Sequence, residues 1–448
     1  MSLQYHFMES RGEGRGVRCI RSRTWGQGWA ADWGARSWGG LGILRSYRHS
    51  AAVRLPLPLS PDSQKIMPRP IHVALIGQKF MGRAHSNAWN QVGHFFDGPR
   101  PVHLHTVAAR DQSELIPFAK RWGWDSCSDD WRSLASIDEV ELVDVGTPNH
   151  LHAEQALTML AAGKHVACEK PLAGTLADAR QMRDAARKAK GSKTFVWFNY
   201  RRCPAVALAH QLVRAGKIGS VLHVRAQYLQ DWGGPSTPMS WRFKKSLAGS
   251  GAHGDLNAHI VDMARFITGD EIHEVHGAVA RTFIKERAQE GKRGKARSDV
   301  DDCVLFVASF KGGATASFEA TRLACGNQNR NTIEINGTKG SVRFDFEDMN
   351  VLHFIGPSDD PRIDGWQRIM CTSAGNHPYA DAWWPDAHVI GYEHCFTNMA
   401  ADIVKVLSRR KPLVPLPDFE DAYQTQRVLE AALVSARERT AIRLSEVK

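Results

Sequence analysis

Residues 254–266 read GDLNAHIVDMARF, which sets a carboxylate, Asp255, four positions before an imidazole, His259. On a helix such residues are neighbours, close enough to act on one small molecule. Leu256, Ile260, Met263 and Ile267 fall at i, i+4, i+7 and i+11, the stripe a core would bury, and Asp255, His259 and Asp262 lie on its flank. An imidazole with an ordinary pKa of about 6.5 can accept a proton near neutral pH. A structural reading fits the same residues. Asp255 would cap the helix, where the macrodipole favours negative charge, and His259 would be a satisfied, half-buried side chain.

A second group of residues suits the binding of an anion. IHVALIG (71–77) is a short apolar run ending in glycine, as expected of a buried parallel strand, and a helical pattern follows from about Gly82. Between them, GQKFMG keeps the first and third glycines of a dinucleotide-binding turn, Gly77 and Gly82, and carries Lys79 in the middle position. Phosphate at this place would sit on a helix N-terminus, where free N–H groups and the dipole favour it. VHLHTVAAR (102–110) reads as the next strand, DQSELIPFAKRWGW as a helix, and residues 141–171 as strand, loop, helix and strand.

Strands alternating with helices imply a parallel, doubly wound sheet with its ligand at the carboxyl ends of the strands. Gly77, Arg110, Thr147, Pro148, Asn149 and Lys170 then share one crevice. An acid at the end of the second strand would bind the ribose 2′-hydroxyl of NAD, and an arginine would accommodate the 2′-phosphate of NADP. Arg110 and Asp111 stand side by side, so both cofactors stay open.

The ordered motifs TPNHLH, AGKHVACEKPLA, NYRRCPA and GSGAHGDLNAHIVDMARF together resemble the Gfo/Idh/MocA oxidoreductases, the glucose-fructose oxidoreductase and inositol dehydrogenase group. The likeness runs from Met67 to the C-terminus. It implies an α/β chain: a Rossmann domain over 67–192, then an α+β domain over 193–448 with a large, mostly antiparallel open sheet for substrate binding and oligomerisation. The β-rich runs after residue 220, with turns at Lys311-Gly312-Gly313 and Asn336-Gly337, agree independently. The basic stretch 285–299 is expected to be a solvated excursion.

The resemblance assigns Lys170, Asp255 and His259 to catalysis, with Lys170 stabilising developing alkoxide charge, His259 accepting the hydroxyl proton, and Asp255 orienting a hydroxyl or tuning His259. It also implies a cis Lys170–Pro171 bond. Cofactor contacts are expected from Gly77, Lys79, Phe80, Met81, Gly82, Arg110, Asp111, Thr147, Pro148, Asn149, His152, Glu169, Lys170, Asn199 and Arg201. Arg202, Asp231, Trp232, Trp241, Arg242, Tyr379, Trp384 and His388 are the candidate substrate-pocket residues, with His377 and Trp383 beside them. Aromatic faces and polar groups of this kind suit a sugar, and a structural aromatic cluster fits the same residues at least as well. The histidines have no recognised metal spacing, and no metal is expected.

The expected activity is NAD- or NADP-dependent hydride transfer at a secondary alcohol or ketone of a sugar, cyclic polyol or keto-sugar. Two alternatives are a cofactor-retaining enzyme that cleaves glycosides by transient oxidation, and a non-catalytic sugar sensor. A homodimer or homotetramer is implied by the resemblance.

The net charge of +11 does not point to nucleic acid. Residues 1–66 carry a net of six positive charges, and no basic, aromatic strip recurs in the other 382. That leader lacks an apolar core and is expected to be disordered or to follow an upstream start codon. The chain has no run of about 18 apolar residues, so no membrane association is expected. Its eight cysteines form no CxxC, which fits a reducing cytoplasm.

Overall fold

The computed structural model describes residues 68–358 and 360–447, so the leader lies outside the described residues. In β1 (Ile71–Ile76) every side chain but that of His72 is buried. Then follow α1 (Phe80–Phe95), β2 (Val102–Ala108), α2 (Gln112–Trp122), β3 (Ser126–Ser128), β4 (Leu142–Val145), α3 (Asn149–Ala161), β5 (His165–Cys168), α4 (Leu176–Lys188) and β6 (Thr194–Val196). All six strands are parallel, in the order β3-β2-β1-β4-β5-β6. This doubly wound arrangement reverses direction between β1 and β4, where a crevice opens. Local signals set the helix ends: Asp111 caps α2 through the amides of Ser113 and Glu114, and Gly123 ends it in the left-handed region. β6 lies just past residue 192, the expected end of this domain.

The chain continues through α5 (Pro204–Arg214), β7 (Val221–Leu229), α6 (Lys245–Ala248), α7 (Ala258–Thr268), β8 (Ile272–Arg281), β9 (Glu286–Ala288), β10 (Lys295–Arg297), β11 (Cys303–Phe310) and β12 (Thr315–Thr321). It ends with β13 (Arg330–Gly337), β14 (Ser341–Asp345), β15 (Val351–Ile355), β16 (Gln367–Met370), α8 (Tyr392–Leu407), α9 (Phe419–Glu438) and β17 (Ile442–Arg443). Nine strands form one sheet, ordered β16-β15-β14-β13-β7-β12-β11-β8-β17 and antiparallel except for β7 with β12. Helices α5, α7 and α9 pack on one face. The other is open, with Val279, Leu305 and Val307 about half exposed.

Helix α8 leaves this second layer. Its Phe396, Met399, Ala400, Ile403 and Val404 pack with Trp89, Val92, Phe195 and Trp197 in the core of the first domain. A segment from late in the chain therefore completes the domain that forms first in sequence.

The basic stretch 285–299 is not merely a solvated excursion. It forms the β9–β10 hairpin, and Arg287 is fully buried. Its guanidinium lies 3.7 Å from the centroid of Phe243 and donates to the carbonyls of Gly233 and Gly234 at 2.9 Å. Carbonyl acceptors and an aromatic face thus replace the water that the charge pattern led one to expect. Among the described residues no helix is long and apolar enough to cross a membrane.

Candidate active site

The carboxyl ends of the β1, β4 and β5 strands face the start of α7 across a cleft of about 720 Å³. On the first-domain side the backbone must come close. Gly77 has φ +122°, and a Cβ there would stand 2.7 Å from the Gly146 carbonyl oxygen; at Gly82 it would stand 2.4 Å from that of Gly77. Both glycines are therefore obligatory. Lys79 occupies the position before α1 without capping it, and Pro148 precedes α3 in the same way. The first amides of both helices are left for an anionic ligand.

Of the residues expected to contact a cofactor, Phe80, Met81, Thr147, Asn149, Glu169, Lys170 and Asn199 line the cleft. Asn199 is 2% exposed and its Nδ2 has no acceptor in the protein, an orphaned donor where a dinucleotide would lie. The free helix amides, the glycine cradle and this amide fit such a cofactor.

The Lys170–Pro171 bond is cis. The Lys170 ammonium donates to the Asp255 carboxylate at 2.7 Å and to the Asp255 carbonyl at 3.1 Å. Arg322, only 3% exposed, donates to the other carboxylate oxygen of Asp255 at 2.7 Å and reaches the Gly251 carbonyl at 3.2 Å. Burial opposes ionisation of Asp255, but the two cations overcome it and hold the carboxyl well below the usual range. Asp255 is thus no helix cap. It sits in a π-helical turn, His253–Asn257, that runs directly into α7. Such turns widen a helix locally and recur at functional sites.

His259 follows at the start of α7, 6% exposed and lining the cleft. Its ring packs against those of Tyr200, Tyr228 and Phe198, at centroid distances of 4.6, 5.8 and 6.2 Å. Burial first, and the Lys170 charge second, hold its pKa well below 6.5, so the imidazole is neutral at physiological pH. Its Nδ1 has no partner in the protein.

A hydrogen-bonded row forms the far wall. Tyr200 and Tyr228 share a bond of 2.7 Å, Tyr228 donates to Asn329 at 2.8 Å, Gln230 donates to Asn329 at 2.7 Å, and Trp232 donates to Gln230 at 2.6 Å. With Trp241 and Arg242 these residues offer aromatic faces and neutral polar groups to a ligand. Tyr200, Tyr228, Gln230, Asn329 and Arg322 went unnoticed in the sequence. Tyr200 lies inside the NYR motif, and the others end the paired strands β7 and β12 or start β13, a relation visible only once strand order is known.

Beneath Lys170 lies a sealed cluster. His85 is completely buried between Asp144, at 3.0 Å, and Glu169, at 3.1 Å. Trp89 and Trp197 also donate to Asp144, at 2.7 and 2.8 Å, and Glu169 accepts the Lys170 amide at 3.0 Å. Burial opposes protonation of His85, yet the two carboxylates raise its pKa to about 9. A charged imidazolium therefore anchors Glu169, the residue before Lys170.

Several expected residues stand elsewhere. Arg201 is buried away from the cleft, paired with Asp262 at 2.7 Å and Asp421 at 2.6 Å. Arg202 is fully buried, donating to the carbonyls of Val414 and Pro415 at 3.1 and 2.9 Å. His152 is a pin, between the carbonyls of Thr147 at 2.8 Å and Pro171 at 3.1 Å. Tyr379 donates to buried Asp402 at 2.7 Å, while Trp383 and Trp384 pack on Phe95 at the far end of α1. His377 and exposed His388 bond only to their own loop. The 373–389 loop closes the molecule rather than the cleft, because its aromatic groups find a nonpolar partner on α1. Asp231 is half-buried beside the cleft without lining it. Lys79, in the turn before α1, pairs with Glu114, and Arg110 and Asp111 follow the end of β2. Among the described residues no group of three His, Cys, Asp or Glu side chains is arranged to hold a metal ion.

Comparison with known proteins agrees with this geometry. The family model for an oxidoreductase family with an NAD-binding Rossmann fold matches residues 71–197, and that for the GFO/IDH/MocA C-terminal domain matches residues 206–343. Levoglucosan dehydrogenase of Pseudarthrobacter phenanthrenivorans is 40% identical over 381 residues, covering 82% of this chain and 96% of that protein. An oxidoreductase domain protein from Kribbella flavida superposes with a TM-score of 0.81 at 49% identity, over 84% of this chain and 99% of that one. Levoglucosan dehydrogenase in complex with NADH and levoglucosan gives 0.80 at 39% identity, over 84% and 100%.

Proposed function

Since the chain belongs to the Gfo/Idh/MocA family of oxidoreductases, we propose that it transfers hydride between a nicotinamide cofactor and a secondary alcohol or ketone of a sugar, cyclic polyol or anhydrosugar. The observation that carries this reading is the convergence of Lys170, Asp255 and His259 at one cleft, with the lysine 2.7 Å from the carboxylate. When bound, the nicotinamide takes or supplies the hydride at its C4.

The protein's groups handle the hydroxyl. Lys170, held by Asp255, keeps an ammonium directed at the place where negative charge develops on the substrate oxygen, the electrostatic contribution that is usually largest. His259 receives the hydroxyl proton on its neutral imidazole. Its low pKa keeps it unprotonated and ready at any pH near neutrality. Arg322 fixes the second Asp255 oxygen, so the carboxylate cannot rotate away from Lys170. The Tyr228–Asn329–Gln230 row binds hydroxyls, and Trp232 and Trp241 cover the C–H faces of a ring.

The relative solved with levoglucosan supports an uncharged pyranose as the first substrate to try. The exposed aliphatic residues on the open sheet support a homodimer or homotetramer, to be read from solution mass. Seven free cysteines among the described residues support a cytoplasmic setting. A panel of sugars, polyols and anhydrosugars with NAD and NADP, followed by the absorbance of reduced nicotinamide, tests the activity. No turnover with any member, despite tight cofactor binding, would leave a sensor. Stoichiometric accumulation of reduced cofactor rules out cofactor-retaining cleavage.

A further inference from the structure

Resting on the reading of the cleft as a sugar site, we infer that the β9–β10 hairpin is a strut for one wall of that site and that Arg287 is a positioning residue for sugar binding. The wall is residues 230–244, between β7 and α6, which bring Trp232, Trp241 and Arg242 to the cleft. They include Gly233, Gly234, Pro235 and Pro238, and their only helical piece is a single 3₁₀ turn, Trp241–Phe243. A segment of this length and composition, with no ladder of its own, must take its hydrogen-bond partners from elsewhere.

The hairpin and the residues that follow it supply those partners. Arg287 donates to the carbonyls of Gly233 and Gly234 at 2.9 Å and to that of Thr237 at 3.3 Å. The Ala288 carbonyl accepts the Met239 amide at 2.7 Å. At the far end, the Asp299 amide donates to the Phe243 carbonyl at 3.3 Å, and the Asp299 carboxylate accepts the Lys245 amide at 2.6 Å. The wall is thus tied near its start, its middle and its end to residues 287–299.

An arginine suits the central tie. Its planar fork serves three carbonyls while its flat face lies 3.7 Å from the centroid of Phe243. Phe243 is 1% exposed, and its ring centroid stands 5.8 Å from that of Trp232, which also meets the Arg322 guanidinium at 4.9 Å. Asp302 fixes Arg287 in turn. One of its oxygens accepts from the guanidinium at 3.3 Å, and the other accepts the amides of Phe283 and Ile284 at 2.7 and 2.8 Å. None of these contacts involves Lys170 or His259. Displacing the wall therefore weakens the grip on a ring without disarming the groups that handle the hydroxyl.

The test combines hydrogen–deuterium exchange of the full chain with steady-state kinetics on the best sugar of the panel, for wild type, Arg287→Ala, Arg287→Lys and Asp299→Ala. In Arg287→Ala the amides of residues 233–243 should exchange at least about 10-fold faster, while those of β1 and α7 keep their rates. KM should rise about 10- to 100-fold. With kcat within about threefold of wild type and cofactor affinity unchanged, that is the signature of lost ground-state binding. Arg287→Lys should recover part of the KM. Asp299→Ala, which removes a single exposed tie, should raise it about 2- to 10-fold. A wild-type KM in folded Arg287→Ala overturns the inference. So does an equal loss of kcat, cofactor affinity and thermal stability, which would make the arginine a support of the fold alone. If Arg287→Ala does not fold, an unaltered KM in Asp299→Ala overturns it instead. A protein that turns over no sugar sinks only the catalytic reading, and the exchange rates of residues 233–243 then decide for or against the strut.

Discussion

The helix that begins at His253 carries two charged clusters barely two turns apart, and they are built on opposite plans. At its C-terminal half, Asp262 and Arg265 join Arg201, Asp421 and Glu271 in a lattice where each charge faces another: Arg201 bridges Asp262 and Asp421, and Arg265 bridges Glu271 and Asp421 at 2.7 and 2.8 Å. At its start, Lys170, Arg322 and Asp255 are also paired, but the cleft beside them keeps unmet capacity in His259 Nδ1, Asn199 Nδ2 and the second half of the Arg322 guanidinium. Buried polar groups are ordinarily satisfied. A closed lattice therefore reads as structure, and an open one as a place prepared for something else.

Breaking the closed lattice should cost most. Asp262→Ala leaves Arg201 buried with one partner fewer and is expected to destabilise the fold by about 3–5 kcal/mol, measured by urea unfolding, while kcat of the folded protein stays within about threefold. A variant of wild-type stability that had lost turnover would move this cluster into the functional group. Breaking the open one should do the reverse. Lys170→Ala should lower kcat about 10²- to 10³-fold and leave the midpoint of thermal unfolding and the cofactor dissociation constant close to wild type. Equal losses in turnover and cofactor affinity would contradict the role given to Lys170.

The sealed His85 cluster sharpens the contrast through pH. A group raised from 6.5 to about 9 by folding contributes its stability in full below pH 6.5 and loses it as pH rises through 9. Unfolding free energy should fall by roughly 3 kcal/mol across that window, and His85→Gln should remove the dependence. A wild-type protein equally stable at both ends would show that the imidazole is neutral. The smallest effect is expected at His259. Because its pKa is lowered, kcat/KM for alcohol oxidation should hold steady through pH 6.5 and decline only in more acid solution. An acid limb centred at or above 6.5 would point to another base.

The difference between the two plans explains what could be read from the chain. Periodicity located β1, the glycine turn and the antiparallel region, because each is dictated by neighbours within a few residues. That Lys170, Asp255 and His259 meet at one cleft was anticipated through the family resemblance of their motifs, because the spacing of Asp255 and His259 fits a helix cap and a structural histidine as well. Arg201 and Asn199, two positions apart, looked equally suited to a ligand, yet one is consumed by Asp262 from 61 residues away and the other is left unpaired. Nothing local distinguishes them. The same holds for Arg322, whose partner Asp255 is 67 residues distant, and for Trp383 and Trp384, which pack on Phe95 at the end of α1 from the far side of the sequence. The π-helical turn was invisible because an i, i+4 pattern carries no record of one widened turn.

The return of α8 has a consequence for synthesis. The nucleotide-binding domain is the earlier to emerge from the ribosome, but its core lacks Phe396, Met399 and Ile403 until some two hundred further residues have been made. Until then Trp89 and Trp197 would stand uncovered on that side, so a nascent chain halted before α8, or an isolated fragment ending near residue 197, should expose a sticky aromatic surface and need a chaperone.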